Sequence, residues 1–313
     1  MGFAFVFPGQ GSQSVGMMAA YGEAPIIRAT FDEASATLGQ DLWALLAEGP
    51  AELLAQTVNT QPLMLTAGIA TYRLWQEKGG KLPAVVAGHS LGEYSALVAA
   101  GVIRFADAVP LVRLRAAAMQ EAVPAGTGAM AAILNLDDEK IRAACAESMA
   151  QLGKDEIVEP VNFNGPGQTV IAGSKAAVEL ACDFCKQKGA KRAVLLPVSA
   201  PFHSTLMRPA ATKLAARLAQ IEFSSPKIPV INNVDVALES VPEKIKDALV
   251  RQAFAPVRWV ETVQKIATLN ITSVAECGPG KVLAGLTKRC SEALTGIALC
   301  DLASLDSALS VLE

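Results

Sequence analysis

Apolar positions along the chain follow two rhythms in turn, short continuous runs and longer stretches with helical spacing. FAFVF (residues 3–7) is a continuous apolar run ended by Pro8 and Gly9, as expected of a strand buried on both faces. Residues 24–38 and 41–56 then repeat apolar positions three and four apart, which predicts helices. TQPLMLTAGIATYRLWQEKG (60–79) predicts a long helix ending at the glycine pair Gly79–Gly80. PAVVAGHS (83–90) reads as a second buried strand followed by a sharp turn, and LGEYSALVAAG (91–101) as a helix closed by Gly101. FADAVPLVRLRAAAMQEAV (105–123) is another helix, in which Pro110 is tolerable if it lies in the first turn, where a missing N–H costs nothing.

The rhythm then changes. AMAAILN is a strand, DDEKIRAACAESMA a helix with an acidic start, and IVEPVNFN and QTVIAG are strands joined by Gly165-Pro166-Gly167. SKAAVELACDFCKQKG is a helix and KRAVLLPVS (191–199) a strand. This order, βαββαβ, is the ferredoxin-like unit. Beyond it, LMRPAATKLAARLAQI is a helix and KIPVINNV a strand, PEKIKDALVRQAF and RWVETVQKIATL are helices, and SVAECG is a late strand. The expected fold is therefore α/β: a large hydrolase-like domain with a mostly parallel central sheet, built from residues 1–123 and 198–313, and a smaller ferredoxin-like α+β domain inserted at 124–197.

Composition narrows the function. With 313 residues, 51% of them hydrophobic, the chain can bury a large core. A net charge of −3 offers no basic surface for nucleic acid or anionic lipid. No apolar run reaches the roughly 18 residues of a membrane span, the start lacks a secretory pattern, and Val6 breaks the myristoylation motif. Cys182 and Cys185 form a C-x-x-C within a helical pattern and read as a plain reduced pair, so a cytoplasmic location is expected. No apolar stripe calls for an interface, so a monomer is expected as well.

The chemistry centres on GHSLG, Gly88 to Gly92, between the second strand and a helix. G-x-S-x-G at such a junction holds the serine hydroxyl, here Ser90, out at the top of the sheet, and turns the Leu91 amide toward a developing oxyanion. A serine needs a base, and the chain has two histidines. His89 adjoins Ser90 and is expected to point away as a packing or hydrogen-bonding group, which leaves His203, on the loop SAPFHSTLM, as the base. No acid stands out to orient it. Asp235 is the nearest candidate, and a backbone carbonyl is the alternative. Arg113 and Arg115 lie two apart on a helix and point in different directions, so one can face a pocket and hold a carboxylate while the other is solvated.

FVFPGQGSQ, TQP, GHSLGEYSAL, the arginine helix, the ferredoxin-like insert, PFHS and GPGKVLAGL together resemble the malonyl-CoA:acyl carrier protein transacylases of bacterial type II fatty acid synthesis, across essentially the whole chain. They also resemble the acyltransferase domains of polyketide synthases. The resemblance implies a catalytic set of Ser90 as nucleophile, His203 as base and then acid, and Gln252 fixing the imidazole through its backbone carbonyl. It implies an oxyanion hole from Gln10 and Leu91, Arg115 holding the malonyl carboxylate, and Asn162 and Phe202 lining the substrate pocket. The implied partners are malonyl-CoA and acyl carrier protein, with no metal and no cofactor beyond these thioester substrates. An acidic carrier implies a basic patch at the entrance, with Lys188, Lys191 and Arg192 as candidates.

Two other readings fit less. A serine esterase of α/β-hydrolase type orders its triad Ser, acid, His and carries an HGGG-type loop; here the one histidine after Ser90 is followed by 110 residues of chain, and no HGGG is present. A dinucleotide site is suggested by GQGSQS, but Ser14 stands where the last glycine belongs, and Asp32 and Glu33 lie in a helical pattern.

Overall fold

The computed structural model describes residues 2–198 and 200–312. Strand β1 (Gly2–Phe7) is followed by α1 (Pro25–Leu38), α2 (Leu42–Glu48), α3 (Ala51–Ala55) and α4 (Thr57–Glu77). Then come β2 (Val85–Gly88), α5 (Gly92–Ala99) and α6 (Phe105–Glu121). A second unit contains β3 (Gly128–Leu134), α7 (Asp138–Leu152), β4 (Val158–Gly165), β5 (Gln168–Ser174), α8 (Lys175–Gln187) and β6 (Arg192–Leu195). The chain ends with α9 (Arg208–Leu218), β7 (Val230–Ile231), α10 (Pro242–Gln252), α11 (Trp259–Ala267), β8 (Ile271–Cys277), α12 (Val282–Cys290), β9 (Thr295–Leu299) and α13 (Leu302–Val311).

The first sheet has the order β7-β2-β1-β8-β9, and every pairing in it is parallel. β1 is central and buried on both sides. Its period of two sends Phe3, Phe5 and Phe7 to one face, where Phe5 meets Trp75 edge-on at 5.2 Å and Tyr72 at 6.1 Å, both on α4. Ala4 and Val6 face the other way, into a cluster with Trp259, Val263 and Ile266 of α11. Helices thus cover both faces, as a parallel sheet requires.

The second sheet is antiparallel, order β4-β5-β3-β6, the ferredoxin-like arrangement. α7 and α8 cover one face, where Cys182 and Cys185 are buried, unpaired thiols. The other face carries Met130, Val161, Val170 and Ala172 and packs against Leu196, Val198 and Phe202. Main-chain bonds tie the second sheet to the segment before α11: Val257 N–H donates to Val161 O at 2.9 Å, and Phe163 N–H donates to Val257 O at 3.0 Å.

Four expectations need correction. The helical stretch 41–56 is two helices, because Gly49, at a φ of 80°, and Pro50 interrupt it. Pro110 lies in the sixth position of α6 rather than its first turn, where packing against α4 and α9 holds the helix despite the lost bond. KIPVINNV contributes only Val230 and Ile231 to the ladder, since it is an edge strand and Pro229 has no N–H to donate. KRAVLLPVS leaves the sheet after Leu195, and its last residue, Ser199, lies outside the described residues.

Candidate active site

The C-terminal ends of β1 and β2 meet at GHSLG. A Cβ on Gly88 would lie 1.9 Å from the Gly92 carbonyl carbon, and one on Gly92 would lie 2.0 Å from Phe7 O, so the turn admits only glycine at both places. Between them Ser90 takes a φ of 51°, a left-handed conformation that costs a non-glycine residue on the order of 1–2 kcal/mol. Asn233 holds it there: its Oδ1 accepts from Ser90 N–H at 2.7 Å, and its Nδ2 donates to Gly88 O at 2.7 Å. The opening loop comes equally close, because a Cβ on Gly9 would lie 2.5 Å from His89 O.

The structure brings Ser90 and His203 together, with Ser90 Oγ 2.7 Å from His203 Nε2. His203 Nδ1 lies 2.8 Å from Gln252 O. A carbonyl only accepts, so Nδ1 carries the proton and Nε2 is free to accept the serine hydroxyl. Asp235, the nearest candidate for an orienting acid, does not reach the histidine. It is paired with Arg251 through two bonds of 2.8 and 2.7 Å, near the surface. His203 is buried, and desolvation, with the Arg115 charge nearby, pushes its pKa down to about 3. The imidazole is therefore neutral, as a base must be.

Arg115 is 2% exposed. Its guanidinium donates to Gln61 Oε1 at 2.8 Å, to Gln252 Oε1 at 2.9 Å and to Ser90 Oγ at 3.2 Å, and lies over the Tyr94 ring at 5.3 Å. All the oxygens it meets are neutral. Among the described residues Arg115 has no carboxylate in salt-bridge range, and its Nε finds no acceptor. Burial lowers its pKa. Arg113 turns away and donates to Gln40, half-buried rather than fully solvated.

These groups line a cavity of about 120 Å3 that also admits Leu91, Met130, Asn162 and Phe202. Asn162 Oδ1 is buried there with no partner among the described residues. Gln10 lines the same cavity, and its side-chain oxygen is occupied by the Thr57 hydroxyl at 2.5 Å. Among the described residues nothing accepts from the main-chain N–H of Gln10 or of Leu91. Gln10, Val198 and Phe202 also border an outer cavity of about 600 Å3 that opens to solvent. His89 lies beside the cavity, but its Nε2 is taken by Asn164 Oδ1 at 2.8 Å. Lys188, a candidate for the entrance, is paired with Glu147 at 2.7 Å.

Sequence reasoning missed three residues of this network. Gln61 sits inside the TQP motif, Glu93 directly follows GHSLG, and Asn233 follows the short edge strand. For the first two, the motif neighbourhood was the available signal. Among the described residues no group of three or more His, Cys, Asp or Glu is placed to hold a metal ion, and no helix is long and apolar enough to cross a membrane.

Residues 4–305 match the family described as the acyl transferase domain. The chain belongs to the acyl transferase family. Within it, the malonyl CoA-acyl carrier protein transacylase of Salmonella typhimurium is 59% identical over 309 residues, 98% of this chain and 99% of the relative. The solved acyl-carrier-protein S-malonyltransferase of Burkholderia pseudomallei is 62% identical, with a TM-score of 0.97 over 99% of this chain and 100% of that one. A malonyl-transacylase solved in complex with a type II polyketide acyl-carrier protein is 56% identical, with a TM-score of 0.96 over 99% of each chain. Such an acyltransferase fold, with its parallel sheet and small antiparallel sheet, is what the sequence pattern led to expect.

Proposed function

We propose that the protein transfers a malonyl group from malonyl-CoA to the phosphopantetheine thiol of acyl carrier protein, through a malonyl ester on Ser90. The observation that carries this is Arg115, a buried guanidinium with no carboxylate in salt-bridge range among the described residues, 3.2 Å from the Ser90 hydroxyl. The malonyl carboxylate supplies the missing charge, and the planar fork can take it through two bonds. The close relatives that carry this activity in their names support the same reading.

The residues then act in order. His203 Nε2 takes the Ser90 proton as Oγ attacks the thioester carbonyl. The oxyanion is met by the N–H groups of Gln10 and Leu91. The carbonyl re-forms, the C–S bond breaks, and His203 returns the proton to the CoA thiolate. The carrier thiol enters next, gives its proton to His203 and attacks the ester. Oγ leaves and is reprotonated, and malonyl-carrier departs. Gln252 keeps the imidazole tautomer, and Asn162 and Phe202 shape the space around the acyl chain. The outer cavity gives the pantetheine arm its approach. Electrons and protons balance with no redox partner or resident cofactor, and all the site residues come from one chain.

The proposal places the chain in the cytoplasm, which its unpaired cysteines support. It also divides the chain into a catalytic unit, 1–123 and 198–313, and an inserted unit, 124–197, that roofs the cavity with Met130 and Asn162. Incubation with malonyl-CoA and the phosphopantetheine form of acyl carrier protein should yield malonyl-carrier. Free malonate without transfer would instead indicate an esterase.

A further inference from the structure

Glu93 is the first residue after GHSLG in the helix α5 and is 1% exposed. A single oxygen of its carboxylate, Oε2, accepts two hydrogen bonds: Asn233 N–H at 2.9 Å and Gln252 Nε2 at 2.9 Å. Those two residues hold the rest of the site. Asn233 fixes the strained turn through Ser90 N–H and Gly88 O. Gln252 presents Oε1 to Arg115 and its main-chain oxygen to His203, while Nε2 also donates to Ser90 O at 3.0 Å. An amide has one oxygen and one nitrogen, so its direction matters. A carboxylate on one side forces the nitrogen toward itself and leaves the oxygen for the arginine.

We propose that Glu93 is a positioning residue, whose shared oxygen sets the direction of the Gln252 amide and the place of Asn233, and so registers Ser90, His203 and Arg115 against one another. It touches none of the reacting atoms. Burial pushes its carboxyl up to about 7, and the bonds from Gln252 and Asn233 and the charge of Arg115 act the other way, toward the charged acceptor. Replacement by glutamine keeps an acceptor oxygen in place. Replacement by aspartate keeps the charge but withdraws the oxygen by one methylene, so it can no longer meet both donors. The inference rests on the malonyl-serine chemistry proposed above.

The test is the single-turnover rate of acyl-enzyme formation, read by intact mass with malonyl-CoA and separately with acetyl-CoA, on variants whose folding is checked by circular dichroism. Glu93→Ala should slow malonylation about 100-fold and Glu93→Asp about tenfold, on the scale of an ångström of misplacement. The malonyl-over-acetyl ratio should fall in both, because Arg115 loses its fixed setting. Glu93→Gln should keep at least about a third of the rate, and the ratio with it. If the alanine variant does not fold, the aspartate and glutamine pair carries the test. Three results would overturn the proposal: rates near the parent's in the aspartate variant, equal losses for both acyl groups, or glutamine as damaging as aspartate. A parent protein that takes no acyl group at all defeats the proposed function, and this inference with it.

Discussion

Among the described residues the buried Arg115 guanidinium donates only to neutral oxygens, and on the proposed function it is held ready for the malonyl carboxylate. On the proposed function, replacing Arg115 by alanine removes the group that would tell malonyl from acetyl. We expect the malonyl-over-acetyl ratio of kcat/KM to fall by about 100-fold or more, since a site built around a polar partner rejects analogues that lack it by large factors. Competition between the two thioesters measures this, and an unchanged ratio would move the carboxylate site elsewhere. His203 gives a second prediction. Its pKa is depressed to about 3, so the base stays neutral as pH falls through 6.5. The kcat/KM for acylation should show no inflection near 6.5, and one there would contradict the burial argument. For stability the sign is as follows: the unfolded histidine takes up a proton first, so its contribution is fully present above 6.5 and is lost as pH falls from there toward 3. That Ser90 and His203 meet was legible because a glycine-flanked serine and a short supply of histidines leave few choices. Glu93 and Asn233 were not, because their roles depend on partners far away in the chain. Asn233 meets Ser90 across 143 positions.

Elements decide where such residues can be placed. The strand β1 was legible as FAFVF because a central parallel strand must be apolar on both faces. The edge strand β7 was overestimated, because apolar spelling does not show how many residues join a ladder. The elements α12, β9 and α13 went unread because helix and strand there are short and their apolar runs adjoin without a distinct break. Glu276, at the end of β8, ties this region to the sheet by accepting Ala284 N–H at 2.8 Å at the start of α12. Burial raises its carboxyl to about 7. The folded state therefore holds a proton that the unfolded state gives up nearer 4.5, and stability from this group declines as pH rises from about 4.5 to 7. Glu276→Gln cannot ionise. Its melting temperature should gain on the parent as pH rises from 5 to 8, and a constant gap over that range would contradict the assignment.

At the scale of the molecule, the parallel sheet presents the serine turn while the polar and apolar underside of the antiparallel sheet closes over it. The alternation of helical and strand rhythms made both units legible, and the βαββαβ order marked the second. Their docking was not, because it joins residues far apart in the chain: β4 meets Val257 through main-chain bonds that any sequence could form, and Asn164 meets His89 and Glu159 meets Thr205 through side chains. The proposed single covalent station at Ser90, serving two thiols in turn, predicts ping-pong kinetics. Initial rates against malonyl-CoA at several carrier concentrations should give parallel double-reciprocal lines, and intersecting lines would require both substrates bound at once. The most direct measurement is intact mass after brief exposure to an equimolar mixture of malonyl-CoA, acetyl-CoA and a branched acyl-CoA. The account predicts one adduct of malonyl mass, mapped to the peptide bearing Ser90 and missing in Ser90→Ala. An acetyl adduct of equal yield, or a malonyl adduct that persists in Ser90→Ala, would contradict it.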